Sequence, residues 1–216
     1  GFASRVIAMT SSHFCSAERQ FRFPLEYGAV RPRSAQWTVT GAGCVVLGCE
    51  KTFPRIRHVC PGAVCDMGIK DMGNMGAAMA PAAALTLKRF LDDTGTTPED
   101  YDLILSGDLG EVGYDLLKNL LSHDNIFLGN NYDDCGRLIY DRKTQDVHSG
   151  GSGCGCSASV LTGYVLPKMR CREYNNVLFM TTGALMSPIS SLQGETIPGI
   201  AHLVHLQNDG EVEAQA

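Results

Sequence analysis

The chain has 216 residues, enough for one large domain or two small ones and too many for a disulfide-stapled miniprotein. With 44% hydrophobic and 19% charged residues it carries ample apolar material for a packed core, which excludes a disordered chain. A net charge of -5, from 18 Lys plus Arg against 23 Asp plus Glu and without a basic block, argues against nucleic acid as partner, because neutralising phosphates takes a clustered cationic face.

The chain opens on Gly1-Phe2-Ala3 rather than Met and runs directly into an apolar stretch, as if cut from something longer. Short apolar runs bounded by Gly, Pro, Asn or Asp predict buried strands at Arg5 to Thr10, Thr38 to Gly48, Tyr101 to Leu105, Gly136 to Tyr140, Asn176 to Thr181 and Ile200 to Leu206. Between them, Ala77 to Leu91 is Ala-rich and predicts a helix with Pro81 in its first turn, where a missing N–H matters little. Tyr114 to Leu121 predicts a second helix with Leu116, Leu117, Leu120 and Leu121 on one face, and Ser157 to Tyr174 a third, kinked or ended by Pro167. Strands alternating with helices argue for a layered α/β fold. No linker divides the chain, residues 207–216 are polar enough to fray, and no apolar run reaches the length of a membrane span.

Nine Cys, an odd number, fit a reducing compartment and mostly buried thiols better than a disulfide framework. Cys44, Cys49, Cys60 and Cys65 lack the close pairing of a zinc site, and Cys154-Gly155-Cys156 is too tight to chelate one ion, so no metal is expected. His13 lies directly after a strand end, where α/β sheets gather ligands, although a loop His is more often an inert surface residue. Arg19 and Arg22 alternate with Phe21 and Phe23 and could clamp a carboxylate or simply pair with Glu18 and Glu26. Gly107-Asp108 and Asp133-Asp134-Cys135-Gly136 supply carboxylates whose commoner fate is capping a turn.

In chain order, the segments Thr10 to His13, Ala17 to Pro24, Glu26 to Gly28, Thr38 to Gly43, Met75 to Pro81, Tyr101 to Leu109, Asp133 to Gly136, Gly150 to Cys154, Thr182 to Pro188 and Glu195 to Pro198 resemble the stage V sporulation protein AD family. The resemblance implies a thiolase-like layered α-β-α-β-α fold of two similar halves. On that template most of the first half is missing: residues 1–60 are its remnant, 61–206 the second half and 207–216 a frayed tail. Strands such as Arg5 to Thr10 are then expected to expose edges and apolar faces.

The same resemblance puts Gly107 where ketoacyl synthase III enzymes carry a catalytic His, and Cys154 where they carry Asn and thiolases His. The segment bearing the superfamily's nucleophilic Cys has no counterpart here, and Cys15 stands in the wrong context. Gly moves no proton, and losing one oxyanion donor typically slows acyl transfer about 100- to 1000-fold. The resemblance therefore implies a binding protein without cofactor or metal. Its ligand would be dipicolinic acid, with calcium as an open companion, taken up into the developing spore and released at germination. The partners would be the other stage V A proteins, holding the chain peripherally at the spore inner membrane, with a homodimer as an option. Loop placement nominates His13, Arg19, Lys70, Ser152 and Cys154 as ligand contacts, with Ile69 and Met72 as apolar wall. Two other readings stand beside this one: an acyltransferase using Cys154 or Cys156, and a purely structural subunit of the spore membrane channel complex.

Overall fold

The structure, a computed structural model, describes residues 3–15, 31–50 and 52–208. Its centre is a five-stranded mixed sheet in the order β4-β9-β8-β5-β6. The strands are β4 (Arg55–Cys60), β5 (Leu103–Ser106), β6 (Tyr132–Asp134), β8 (Asn176–Ala184) and β9 (Gly199–Gln207). β5 runs parallel to β6 and β8, while β9 is antiparallel to both β8 and β4.

Both faces of this sheet are covered, which is why its strands read as continuous apolar runs. On one face α1 (Met75–Thr94) and α2 (Gly110–His123) pack Met79, Leu87, Phe90 and Leu117 against Ile104, Leu178, Met180 and Leu203. On the other lies a helix formed by α4 (Cys154–Val160), a π-helical segment (Leu161–Val165) and α5 (Leu166–Arg170). It packs Val160, Val165 and Met169 against Leu103, Leu105, Val177 and Phe179. Beyond α4 lies an antiparallel ribbon of β1 (Arg5–Ser12) and β3 (Gly41–Gly48). A Cβ at Gly43 would stand 2.5 Å from the Ala158 carbonyl oxygen, so the ribbon lies directly on the helix. The layers run helices, sheet, helix, ribbon. On the ribbon Ile7, Met9 and Val46 are 67%, 74% and 68% exposed. Two short strands, β2 (Trp37–Thr38) and β7 (Gly151–Ser152), pair in parallel beside it. Short helices α3 (Cys135–Leu138) and α6 (Pro188–Leu192) and a 3-10 turn (Pro98–Asp100) lie in the connections.

Several expectations are corrected. Gly136 to Tyr140 is not a strand: the Asp134 carboxylate accepts the Gly136 N–H at 2.9 Å and caps α3, and the strand is the preceding Tyr132–Asp134. Pro81 sits inside α1, which starts earlier because Asn74 Oδ1 accepts the Ala77 N–H at 3.2 Å. On α2 the buried stripe is Gly113, Leu117 and Leu121, while Leu120 faces outward. The thiols are not mostly buried, since Cys15, Cys44, Cys49, Cys154 and Cys171 are exposed and only Cys60, Cys135 and Cys156 are buried. Cys44 is exposed because it belongs to the ribbon, which no second layer covers among the described residues.

The crossing of α1 and α2 depends on glycine. A Cβ at Gly76 would lie 2.5 Å from the Leu109 carbonyl oxygen and 2.8 Å from the Gly113 nitrogen, both backbone atoms that cannot rotate away. Gly76→Ala is therefore expected to destabilise by about 1–3 kcal/mol, read as a lower urea midpoint.

Candidate functional site

The carboxyl ends of β5 and β8 open into a cavity of about 490 Å³. Open α/β sheets bind ligands at such strand ends. β5 runs out into Gly107 and Asp108, and β8 into Thr182, Gly183 and Ala184. Ser11, Ser12 and His13 at the end of β1 form one rim, and the β7–α4 corner contributes Ser152, Gly153 and Cys154. Met75 and Met79 of α1, with Met186, supply an apolar wall.

Asp108 ties these pieces together. One carboxylate oxygen accepts the Gly153 N–H at 2.8 Å, and the other accepts the Thr182 hydroxyl at 2.7 Å. Gln36 donates to the carbonyls of Asp108 and Gly151, at 2.6 and 2.9 Å. The Ser12 hydroxyl donates to the Val39 carbonyl at 2.6 Å and accepts the Gly155 N–H at 2.9 Å, joining the ribbon to the start of α4. The exposed Cys154 thiol donates to the Ser11 carbonyl at 3.0 Å.

Glycine at position 107 suits a tight spot. A Cβ there would stand 2.8 Å from Thr182 Oγ1 and 3.0 Å from Thr182 N, so the β8 backbone and the Asp108 tie fill the volume a longer side chain would need. Among the described residues the cavity is lined by no Lys or Arg; its ionisable groups are Asp108, His13 and Cys154.

Behind the cavity wall Asp134 is fully buried. It accepts the N–H groups of Leu109, Gly110 and Gly136, each at 2.9 Å, and the Ser106 hydroxyl at 2.7 Å. Burial raises its pKa to about 7, and the Asp108 charge adds to the rise while the hydrogen bonds oppose it. Burial, with the charges of Asp108 and Asp134, also holds the Cys156 thiol far above its ordinary value, so it stays protonated and is no nucleophile.

Of the sequence-nominated ligand residues, the fold brings His13, Ser152 and Cys154 into one cavity. Half-buried Ile69 and Met72 and exposed Lys70 lie on the loop before α1 and are not among its lining. Arg19 lies outside the described residues. Sequence reasoning missed Gln36 and Met79, and it noted Asp108 and Thr182 without placing them here. The signal for Thr182 lay in its strand-end Thr-Thr-Gly-Ala run.

Comparisons with known proteins agree on this architecture. The family model for stage V sporulation protein AD (SpoVAD) matches residues 1–207. Stage V sporulation protein AD of Bacillus subtilis (strain 168) is 48% identical over 210 residues, covering 97% of this chain and 62% of that protein. Among solved structures, the tetronic acid condensing enzyme AbyA1 superposes with a TM-score of 0.54 at 13% identity, over 96% of this chain and 61% of that one. The 3-oxoacyl-(acyl-carrier-protein) synthase III from Aquifex aeolicus VF5 gives 0.50 at 12%, over 95% and 58%. At such identities the structural likeness speaks to fold alone. The chain spans about three fifths of the length of these relatives. With a family match over nearly all its residues, the chain belongs to the stage V sporulation protein AD family, sporulation proteins on a thiolase-like fold.

Proposed function

We propose that the chain is the ligand-holding part of a non-catalytic thiolase-like protein that binds dipicolinic acid in the cavity below β5 and β8. In this reading it takes part in moving the ligand into the developing spore and out at germination, together with other stage V A proteins at the spore inner membrane. The observation that carries the non-catalytic half is Gly107 packed against Thr182: the position has no proton donor, and a side chain there would press on β8. The ligand half rests on family membership and fit. The methionine wall offers an apolar slot for a planar ring, and the hydroxyls of Ser11, Ser152, Ser157 and Thr182 surround it. His13 supplies a ring N–H donor for the carboxylates, with Arg19 as a further, cationic candidate.

Isothermal titration calorimetry of the full-length protein tests this, with dipicolinate against isophthalate, which keeps both carboxylates and lacks the ring nitrogen. Dipicolinate should bind more tightly than isophthalate, and a His13→Ala, Ser152→Ala pair should weaken it about tenfold or more, the loss of one to two hydrogen bonds to charge. Unchanged affinity in the double variant would remove the cavity from the assignment.

Acyl transfer is the second reading, favoured by Cys154 and His13 lining one cavity. Incubation with radiolabelled acyl-CoA should leave Cys154 unlabelled; a label there would establish acyl transfer and overturn the non-catalytic reading.

A further inference from the structure

On the far side of the sheet, His58 of β4 and His205 of β9 are direct cross-strand partners. Their Nδ1 atoms lie 3.0 Å apart. With ring centroids 5.2 Å apart and an interplanar angle of 23°, the imidazoles meet edge to edge in nearly one plane, so the Nδ1 positions point at each other. The proton positions follow from the neighbours. Asn176 Nδ2 donates to the Asp100 carbonyl at 2.6 Å, which turns its Oδ1 toward His205 Nε2. Nε2 therefore carries the His205 proton, its Nδ1 is the acceptor, and His58 Nδ1 is the donor. One proton lies between two rings, and a second has no place there.

We infer that the His58–His205 pair is an acid-sensitive clasp that fastens edge strand β4 to the sheet and releases it when both imidazoles are charged. Besides this pair, β4 is held by its backbone ladder to β9 and by Cys60 at its buried end. It stands at the sheet edge beside β9, and Ile56 and Val59 are 44% and 60% exposed, so core burial holds it weakly. A second contact to β9 follows directly: the Gly62 N–H donates at 3.0 Å to His202 Nδ1.

The groups facing the pair are Arg57 and Cys60 of β4, Arg89 and Asp93 of α1, and Asp100 and Tyr101 before β5. Asp100 is engaged by the Thr97 N–H at 2.7 Å. Burial between Phe90 and Tyr101, then His58 and Arg57, lower the His205 pKa from 6.5 to about 4. The folded state thus holds His205 neutral where the unfolded chain would protonate it, so the clasp is at full strength above 6.5 and is lost as pH falls toward 4. β4 continues through the loop 61–74 into Met75 and Met79 of the cavity wall, so release would loosen one side of that cavity.

Cys60 ends β4 and is buried, which makes it the reporter, while buried Cys135 and Cys156 report global unfolding and exposed Cys171 normalises the reagent. The full-length protein is labelled with 4,4′-dithiodipyridine, which reacts with thiols in acid, and mapped by peptide mass spectrometry. From pH 7 to pH 4, Cys60 labelling relative to Cys171 should rise about tenfold or more with Cys135 and Cys156 unlabelled, as expected for local opening. In His205→Gln the acid-to-neutral ratio should fall below about twofold, because the buried titrating imidazole is gone, and in His58→Gln it should fall clearly below the wild-type value, because the neighbouring imidazole is removed while burial of His205 remains. A flat Cys60 profile in the wild type, a rise shared by Cys135 and Cys156, or a full acid response in either folded variant would overturn the clasp.

Discussion

Replacing Asp134 by Ala should be the most damaging single change in this protein. It leaves the N–H groups of Leu109, Gly110 and Gly136 buried without their acceptor. Each unpaired buried donor costs about 1–3 kcal/mol, so the loss should exceed about 3 kcal/mol, a large share of the roughly 5–15 kcal/mol that holds a domain together. Asp134→Asn keeps the volume but turns an amide donor toward N–H groups, and should cost about 1–3 kcal/mol. Urea denaturation separates the two.

The acid form of Asp134 is accommodated because the Ser106 hydroxyl can turn from donor to acceptor and donate to Tyr132 Oη at 3.1 Å. Its folded pKa of about 7 lies above the ordinary 3.8, so between those values the folded state holds a proton that the unfolded chain has released. The Asp134 contribution is complete below 3.8, declines as pH rises toward 7 and is flat above. The wild-type minus Asp134→Asn difference in unfolding free energy should fall over that interval; a difference that grows with pH would refute the assignment.

Gly107→His is the second large effect, and it should not create a condensing enzyme. The new Cβ meets Thr182 Oγ1 and N, so β8 must shift and the Thr182 hydroxyl leaves Asp108. Overpacking of this kind costs about 1–3 kcal/mol, and the same shift should weaken ligand binding in the cavity. Gly107→His with Thr182→Ala should be more stable than the sum of the two single changes, because the clash is removed while the Asp108 tie is lost only once. Additive losses in thermal unfolding, or acquired decarboxylase activity toward a malonyl thioester, would contradict this account.

Much of the fold was legible because its strands are buried on both faces. Ile104, Leu105, Leu178, Met180 and Leu203 are fully buried, and such continuous apolar runs announce themselves. β4 was missed because Arg55, Arg57 and His58 break its apolar pattern, and an edge strand needs little burial to exist. β6 was misplaced by a few residues because one carboxylate, Asp134, both ends the strand and caps the helix after it. In the site, the strand-end loops pointed to His13, Ser152 and Cys154, whereas Lys70, on a loop of similar polarity, lies exposed outside the cavity.

What sequence by itself determined was the family, the α/β alternation and the residue identities Gly107 and Cys154, because these reside in residue identity and order. Only the tertiary structure decided how tightly Gly107 packs on Thr182, which of two neighbouring cysteines faces the cavity, and that two histidines 147 positions apart meet at their Nδ1 atoms. Those facts depend on separations of about 3 Å between atoms distant in the chain, and such distances arise when α1, β8 and β9 pack, not from any local pattern.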